Sequence, residues 1–98
     1  MNKRLEMRGK VVEVLPTVFI PGKDGEYPSV SFEMVPDDFE NGTSPVKNVV
    51  FKTYKSTSAV VKNLKRGDYV KVNFIPESRR VDDKVFNDHK AYWVERIN

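Results

Sequence analysis

Cations and aromatic rings stand close together at three places in the second half of the chain. The pairs are Lys52 with Tyr54, Tyr69 with Lys71, and Arg79 and Arg80 with Phe86. Ammonium and guanidinium groups can follow a phosphate backbone, and each unpaired base that stacks on a ring contributes roughly 1 to 3 kcal/mol. The pattern therefore predicts a nucleic-acid-binding surface, with Lys47 and Lys55 as further candidate contacts.

The charge is unevenly distributed along the chain, although its net value is only +3. Residues 23–45 contain one base and six acids, whereas residues 46–80 contain nine bases and two acids. A basic half is the expected footprint of a phosphate-containing ligand. The plainer alternative is that the lysines keep a β-protein soluble and protect its sheet edges from pairing.

The residue types give little basis for catalysis. The chain has no cysteine and a single histidine, His89, which we expect to be an ordinary surface residue on a strand. Asp37, Asp38 and Glu40 fall in a Pro- and Gly-bounded loop, where acidic residues are commonplace, and no phosphate-binding or nucleophile motif occurs. We therefore expect no enzymatic activity, no catalytic or metal-binding residues and no cofactor.

The length and composition indicate one domain over residues 1–98. No apolar run approaches the ~20 residues that a membrane helix needs, and charges interrupt the N-terminal segment before it could serve as a signal peptide. The absence of cysteine excludes a disulfide framework. These features predict a soluble protein in the cytoplasm, with no membrane partner.

Period-two alternation predicts five strands, at residues 5–14, 29–35, 46–54, 68–75 and 85–97. The first should bend, because its apolar phase slips at Val11 and Val12. A short helix with N-cap candidates at Ser56 to Ser58 and a stop at Gly67 separates the third and fourth strands. Residues 16–28 should form a loop or ragged hairpin that turns at Lys23 to Gly25, and residues 76–84 a hairpin that turns near Asp82.

The same alternation separates core rings from exposed ones. Phe32, Phe51 and Phe74 fall in the inward phase, and Trp93 follows Ala91 in a phase that places it in the core. Lys52 and Tyr54 fall in the outward phase. Phe86 is compatible with either environment, so it stands as both a core residue and a stacking candidate.

The order of three strands, a helix and two strands resembles the OB fold. Residues 64–72, Leu-Lys-Arg-Gly-Asp-Tyr-Val-Lys-Val, look like the entry to the fourth strand in single-stranded DNA-binding proteins of bacteria and their phages. Glu77 to Arg79, Phe86 to Asp88 and Ala91 also resemble a small bacterial OB-like family. The resemblance implies an all-β, five-stranded OB-fold barrel with one short helix between strands 3 and 4.

The resemblance also implies a groove across the second, third and fourth strands, in which Tyr54 and Phe86 would stack on bases. The bacterial proteins usually end in a flexible linker and an acidic tip that recruits partners, whereas this chain ends at Arg96-Ile97-Asn98. That departure favours a stand-alone coating role, namely sequence-independent single-stranded DNA binding in replication or recombination.

Two alternatives to this function remain. One is an RNA-binding OB protein, because ribose recognition depends on a few polar groups that the sequence does not position. The other is a protein-interaction module, in which Phe19, Ile20 and Phe39 would form an apolar contact surface. The oligomeric state is open, and exposed strand edges are compatible with a homodimer.

Overall fold

The computed structural model of the chain describes residues 5–37, 42 and 48–97, with the backbone alone described at Arg79, Val81 and Phe86. Within these residues the chain forms six strands and a helix. In chain order they are β1 Leu5–Val14, β2 Val18–Gly22, β3 Gly25–Pro36, β4 Val49–Tyr54, α1 Lys55–Val61, β5 Tyr69–Val81 and β6 Lys84–Arg96. No described helix has the length and apolar character to cross a membrane.

Five of the strands close into a ring because β1 pairs with two partners. Its first half pairs antiparallel with β5, and its second half pairs antiparallel with β3. The ring continues from β3 to β4, from β4 to β6 through a parallel pair at Lys52 and Lys90, and from β6 back to β5. The predicted all-β ring of five strands is confirmed.

The bend in β1 occurs where the two partners meet. The pairing of β1 with β3 shifts between Val11 and Glu13, which confirms the predicted phase slip. Gly9 lies at the crossing, where an added Cβ would collide with the carbonyl group of Val35. Glycine thus lets the two backbones approach closely enough for one strand to serve both sides of the ring.

The core is built by the inward residues that the alternation predicted. Val30, Phe32 and Met34 of β3 are buried, and the Phe51 ring of β4 lies 5.5 Å from Phe32 and 4.9 Å from Phe74 between centroids. The buried hydroxyl of Thr53 donates a 2.6 Å hydrogen bond to the Val30 carbonyl, so this polar group is satisfied inside the core.

The helix α1 lies between β4 and β5 and buries Ser58 and Val61 against the barrel. Its N-cap is Tyr54, without a side-chain hydrogen bond, so the prediction of a cap at Ser56 to Ser58 is wrong. The Thr57 hydroxyl donates instead to the Tyr92 carbonyl of β6. The predicted stop at Gly67 is also wrong, because the helix ends at Val61 with Lys62 as its C-cap. Gly67, with φ +93, lies in the turn before β5, where its amide donates to the Val11 carbonyl of β1.

Two features of the strands differ from the prediction. Residues 18–22 form a sixth strand, β2, which pairs with the start of β3 around the turn at Lys23 and Asp24. The prediction that Trp93 belongs to the core is wrong, because its side chain is 56% exposed. A one-residue shift in the β5–β6 register, where Asn73 pairs with Trp93 but Phe74 with Ala91, leaves Tyr92 as an extra residue and reverses the phase.

Candidate nucleic-acid interface

An open groove of about 740 Å³ crosses the outer face of the barrel. Its floor is formed by β3 and β4, one wall by the β2 side of the hairpin, and the other by β6 and the far part of β5. The hairpin contributes Val18 and Ile20 to the wall, two positions apart on β2 and so on the same side of the strand. The predicted ragged hairpin therefore builds one side of the groove.

Two tyrosine rings stand together in this groove. Tyr54 at the end of β4 and Tyr27 near the start of β3 have ring centroids 6.1 Å apart and ring planes at 65°, an edge-to-face arrangement. Both rings are partly exposed. Tyr54 is a predicted stacking residue. For Tyr27 the sequence left open whether the ring covers the barrel bottom or belongs to a binding surface. Its phase with Ser29 and Ser31 indicates the outer face once residues 25–36 are taken as one strand.

Lysine side chains cover both tyrosine rings. The Lys55 ammonium lies 5.4 Å from the centroid of Tyr27, and the Lys90 ammonium lies 5.6 Å from that of Tyr54. Such cation–π contacts at exposed sites are worth about 0.5 to 1 kcal/mol. Lys52 also lines the groove, between the two tyrosines and β6. The groove thus combines flat π surfaces with lysine ammonium groups.

Lys55 reaches its position through an uncommon backbone conformation. Its φ is +54, in the left-handed region that non-glycine residues rarely adopt. The conformation turns the chain sharply from β4 into α1. Backbone strain of this kind tends to persist where a side chain must be held in a specific place, and here that side chain lies over the Tyr27 ring.

The groove also contains carboxylates. The Lys52 ammonium lies 3.1 Å from Asp88 of β6, and Glu77, which pairs with Asp88 across β5 and β6, lines the groove as well. The Lys52 cation in the groove is therefore paired with an acid. A phosphate would compete with Asp88 for Lys52 at this position.

The structure brings only some of the predicted site residues together. Lys52, Tyr54 and Lys55 line the groove, and Lys90 was missed because only the closure of the ring places it beside Lys52. Tyr69 and Lys71 lie on the outer face of β5, on the part of the barrel that pairs with β1.

Tyr69 and Lys71 already have partners on that face. The Tyr69 hydroxyl donates a short hydrogen bond to Asp37, and the Lys71 ammonium lies 3.8 Å from Glu6 and 3.9 Å from Glu95. Both residues stay predicted nucleic-acid contacts, on a different face from the groove.

The remaining predicted residues belong to the β5–β6 hairpin or fall outside the described part of the chain. Arg80 is exposed and pairs with Val85, and the backbone of Arg79 pairs with that of Phe86. The side chains of Arg79 and Phe86, and the whole of Lys47, lie outside the described residues. Their roles stay predictions.

His89 has a different environment from the one predicted. It is partly buried on the inner side of β6, with its ring 5.9 Å from Phe51 and 5.3 Å from Phe74. Its Nδ1 atom is buried, with no hydrogen-bond partner among the described residues. The expectation of an ordinary surface histidine is therefore wrong. Within the described residues, no three His, Asp or Glu side chains are placed to share a metal ion.

Comparison with known proteins establishes the fold. No protein-family model matches the sequence, and no curated protein matches it. The crystal structure of the small single-stranded DNA-binding protein from Streptomyces coelicolor is similar, with a TM-score of 0.61 over 99% of this chain and 94% of that chain. At 15% sequence identity this similarity concerns the fold. The chain has an OB fold, and the similarity to a single-stranded DNA-binding OB protein is confirmed at that level.

Proposed function

We propose that this protein binds single-stranded DNA without catalysing a reaction, and that the groove between the β2–β3 hairpin and β6 is its binding site. The observation that carries the proposal is the pair of tyrosine rings 6.1 Å apart, each with a lysine ammonium over its face. Stacking platforms interleaved with cations are what single-strand binding requires.

Binding exchanges one set of contacts for another. A base that stacks on Tyr54 or Tyr27 displaces the lysine ammonium from the ring, and the released Lys90 or Lys55 reaches the adjacent phosphate. Lys52 exchanges Asp88 for a phosphate in the same way. Because the cation–π contacts are worth only about 0.5 to 1 kcal/mol each, a stacked base worth roughly 1 to 3 kcal/mol can replace them.

The open groove favours binding of single-stranded DNA over binding of duplex DNA. Base faces are accessible to the two rings only when the bases are unpaired. The tyrosines line the groove together with side chains of β2 and of β6. The mode of recognition needs no base-specific hydrogen bond, since every base has a π face. A coating and protecting role in replication or recombination follows as part of the proposal.

The protein-interaction alternative is weaker on this geometry. Ile20 lines the groove, whereas Phe19, the preceding residue on β2, points to the other side of the strand, so the two do not form one apolar surface. Phe39 lies outside the described residues. RNA binding uses the same groove and differs from the leading proposal only in the sugar.

Fluorescence anisotropy with end-labelled oligonucleotides tests the proposal. Oligo-dT, oligo-U and duplex DNA of the same length are titrated with the protein at several salt concentrations. We expect tight binding of dT and weak binding of duplex. Equal affinity for dT and duplex would refute the stacking mechanism, and preference for oligo-U over dT would favour the RNA alternative. Sedimentation of the free protein tests whether it forms a homodimer.

A further inference from the structure

Trp93 is turned out of the core by a local irregularity of β6. Regular alternation would place it on the same side as the buried Ala91, but the extra residue Tyr92 in the β5–β6 register reverses the phase. The indole is left 56% exposed. Bulges often re-aim a side chain next to a functional site, and here one removes the bulkiest side-chain type from the core.

The outer face that carries Trp93 is continuous with the groove. Lys90, which covers Tyr54 in the groove, also faces outward on β6 and precedes Trp93 by three residues, or roughly 10 Å along a strand. β4 and β6 are parallel where Lys52 pairs with Lys90. The residues that follow Lys90 on β6 therefore run in the same direction as those from Lys52 to Tyr54 on β4. A DNA strand that leaves the groove past Lys90 and follows the outer side of β6 therefore meets Trp93.

Cations follow Trp93 along the same face. Trp93 pairs with Asn73 on β5, and the next outward row brings together Glu95, Lys71 and Arg8 of the three adjacent strands. The row beyond pairs Tyr69 with Lys10. Lys71 and Arg8 are held by surface carboxylates at 3.5 to 3.9 Å, contacts that phosphates can replace at little cost.

We propose that Trp93 is a second base-stacking platform, and that a single strand filling the groove continues past Lys90 onto the outer face of β1, β5 and β6. This inference rests on the proposed function and extends its footprint. It also gives a role to Tyr69 and Lys71, which the sequence predicted as contacts but which the fold places outside the groove.

Trp93 is the sole tryptophan of the chain, so its emission reports on this platform alone. One titration carries two readouts, the anisotropy of an end-labelled oligo-dT and the intrinsic tryptophan emission. A short dT of about 4 nucleotides and a long one of about 16 bracket the range that one OB domain covers. We expect the long oligonucleotide to quench the emission and to protect the indole from acrylamide, and the short one to do so much less.

Substitution provides the second measurement. Trp93→Ala should weaken binding of the long oligonucleotide by roughly 5- to 100-fold, more than it weakens binding of the short one. Because the side chain is largely exposed, the variant should fold, as a thermal melt will show. Val60→Ala, at an exposed position of α1, is the matched control and should bind both lengths as the unmodified protein does.

The outcomes separate the two proposals. Suppose that anisotropy shows binding of the long oligonucleotide, that the tryptophan emission of the unmodified protein does not change, and that Trp93→Ala binds with unchanged affinity. The second platform is then refuted and the groove stands. If neither oligonucleotide binds, the proposed function fails and the inference fails with it. If the emission instead changes with protein concentration alone, and sedimentation shows a dimer that Trp93→Ala dissociates, then a second copy of the chain covers Trp93 and the inference is overturned.

Discussion

Truncation of Tyr54 should weaken DNA binding at a much smaller cost to the fold than truncation of a buried ring. The partly exposed ring lies at the end of β4. It packs edge-to-face against Tyr27 and makes a cation–π contact with Lys90. In Tyr54→Ala the protein loses one aromatic pair, worth about 0.5 to 1.5 kcal/mol, and one exposed cation–π contact of about 0.5 to 1 kcal/mol. The free energy of unfolding should fall by about 1 to 2.5 kcal/mol.

That loss corresponds to a fall in Tm of roughly 4 to 20 °C for a domain of this size. Removal of one stacked base should weaken binding by roughly 1 to 3 kcal/mol, or about 5- to 100-fold in Kd. Phe51→Ala is the opposite case. Its ring is fully buried against Phe32 and Phe74, so truncation should cost about 3 to 5 kcal/mol of stability.

The assay is a thermal melt and an oligo-dT titration on the same samples of three proteins, unmodified, Tyr54→Ala and Tyr54→Phe. Tyr54→Phe keeps the ring and should retain both Tm and affinity. A variant Tyr54→Ala that binds oligo-dT as tightly as the unmodified protein would refute the assignment of Tyr54 as a platform, whatever its Tm. A large loss of binding by Tyr54→Phe would show that the hydroxyl, and not stacking, carries the contact.

Three further predictions follow from the groove and the ring. Lys52→Gln and Lys90→Gln should each reduce the slope of log K against log salt for oligo-dT binding by roughly 0.7. Lys62→Gln, at the exposed C-cap of α1, should leave this slope unchanged. An equal slope in all variants would contradict the assigned phosphate contacts. Asp88→Asn should tighten binding at low salt, with a gain that shrinks as salt is raised, because it releases Lys52 and removes a negative charge; weaker binding would oppose the idea that Asp88 competes with phosphate. Gly9→Ala should lower Tm severely, because its Cβ would lie 2.9 Å from the carbonyl carbon of Val35. A thermal melt identical to that of the unmodified protein would rule out this close contact.

Strand alternation predicted the core well because burial on one face imposes a period of two. Phe32, Phe51 and Phe74 all face inward as expected, and Tyr54 faces outward as expected. Such local signals survive in any fold that buries the same face. Gly67 has the left-handed conformation that favours glycine, but it lies in the turn before β5, and the helix already ends at Val61.

The features that the sequence did not predict depend on pairing between strands that are distant along the chain, and a local residue pattern carries no information about such pairing. Trp93 was assigned to the core because a register shift between two strands decides its phase, and the shift leaves no mark in the sequence around it. Lys90 joins the site through a parallel pair that forms only when the ring closes. Lys71 is outward as predicted, but the acids that pair with it come from β1 and β6.

The most direct test of the central claim is to map where oligo-dT contacts the protein by amide chemical-shift perturbation. The largest shifts should cluster at the groove, in residues 27–31 of β3, 52–56 at the β4–α1 junction and 88–90 of β6. Duplex DNA at the same concentration should leave these amides nearly unchanged. Shifts concentrated elsewhere, or equal shifts with single-stranded and duplex DNA, would contradict the assignment of the groove as a single-strand binding site.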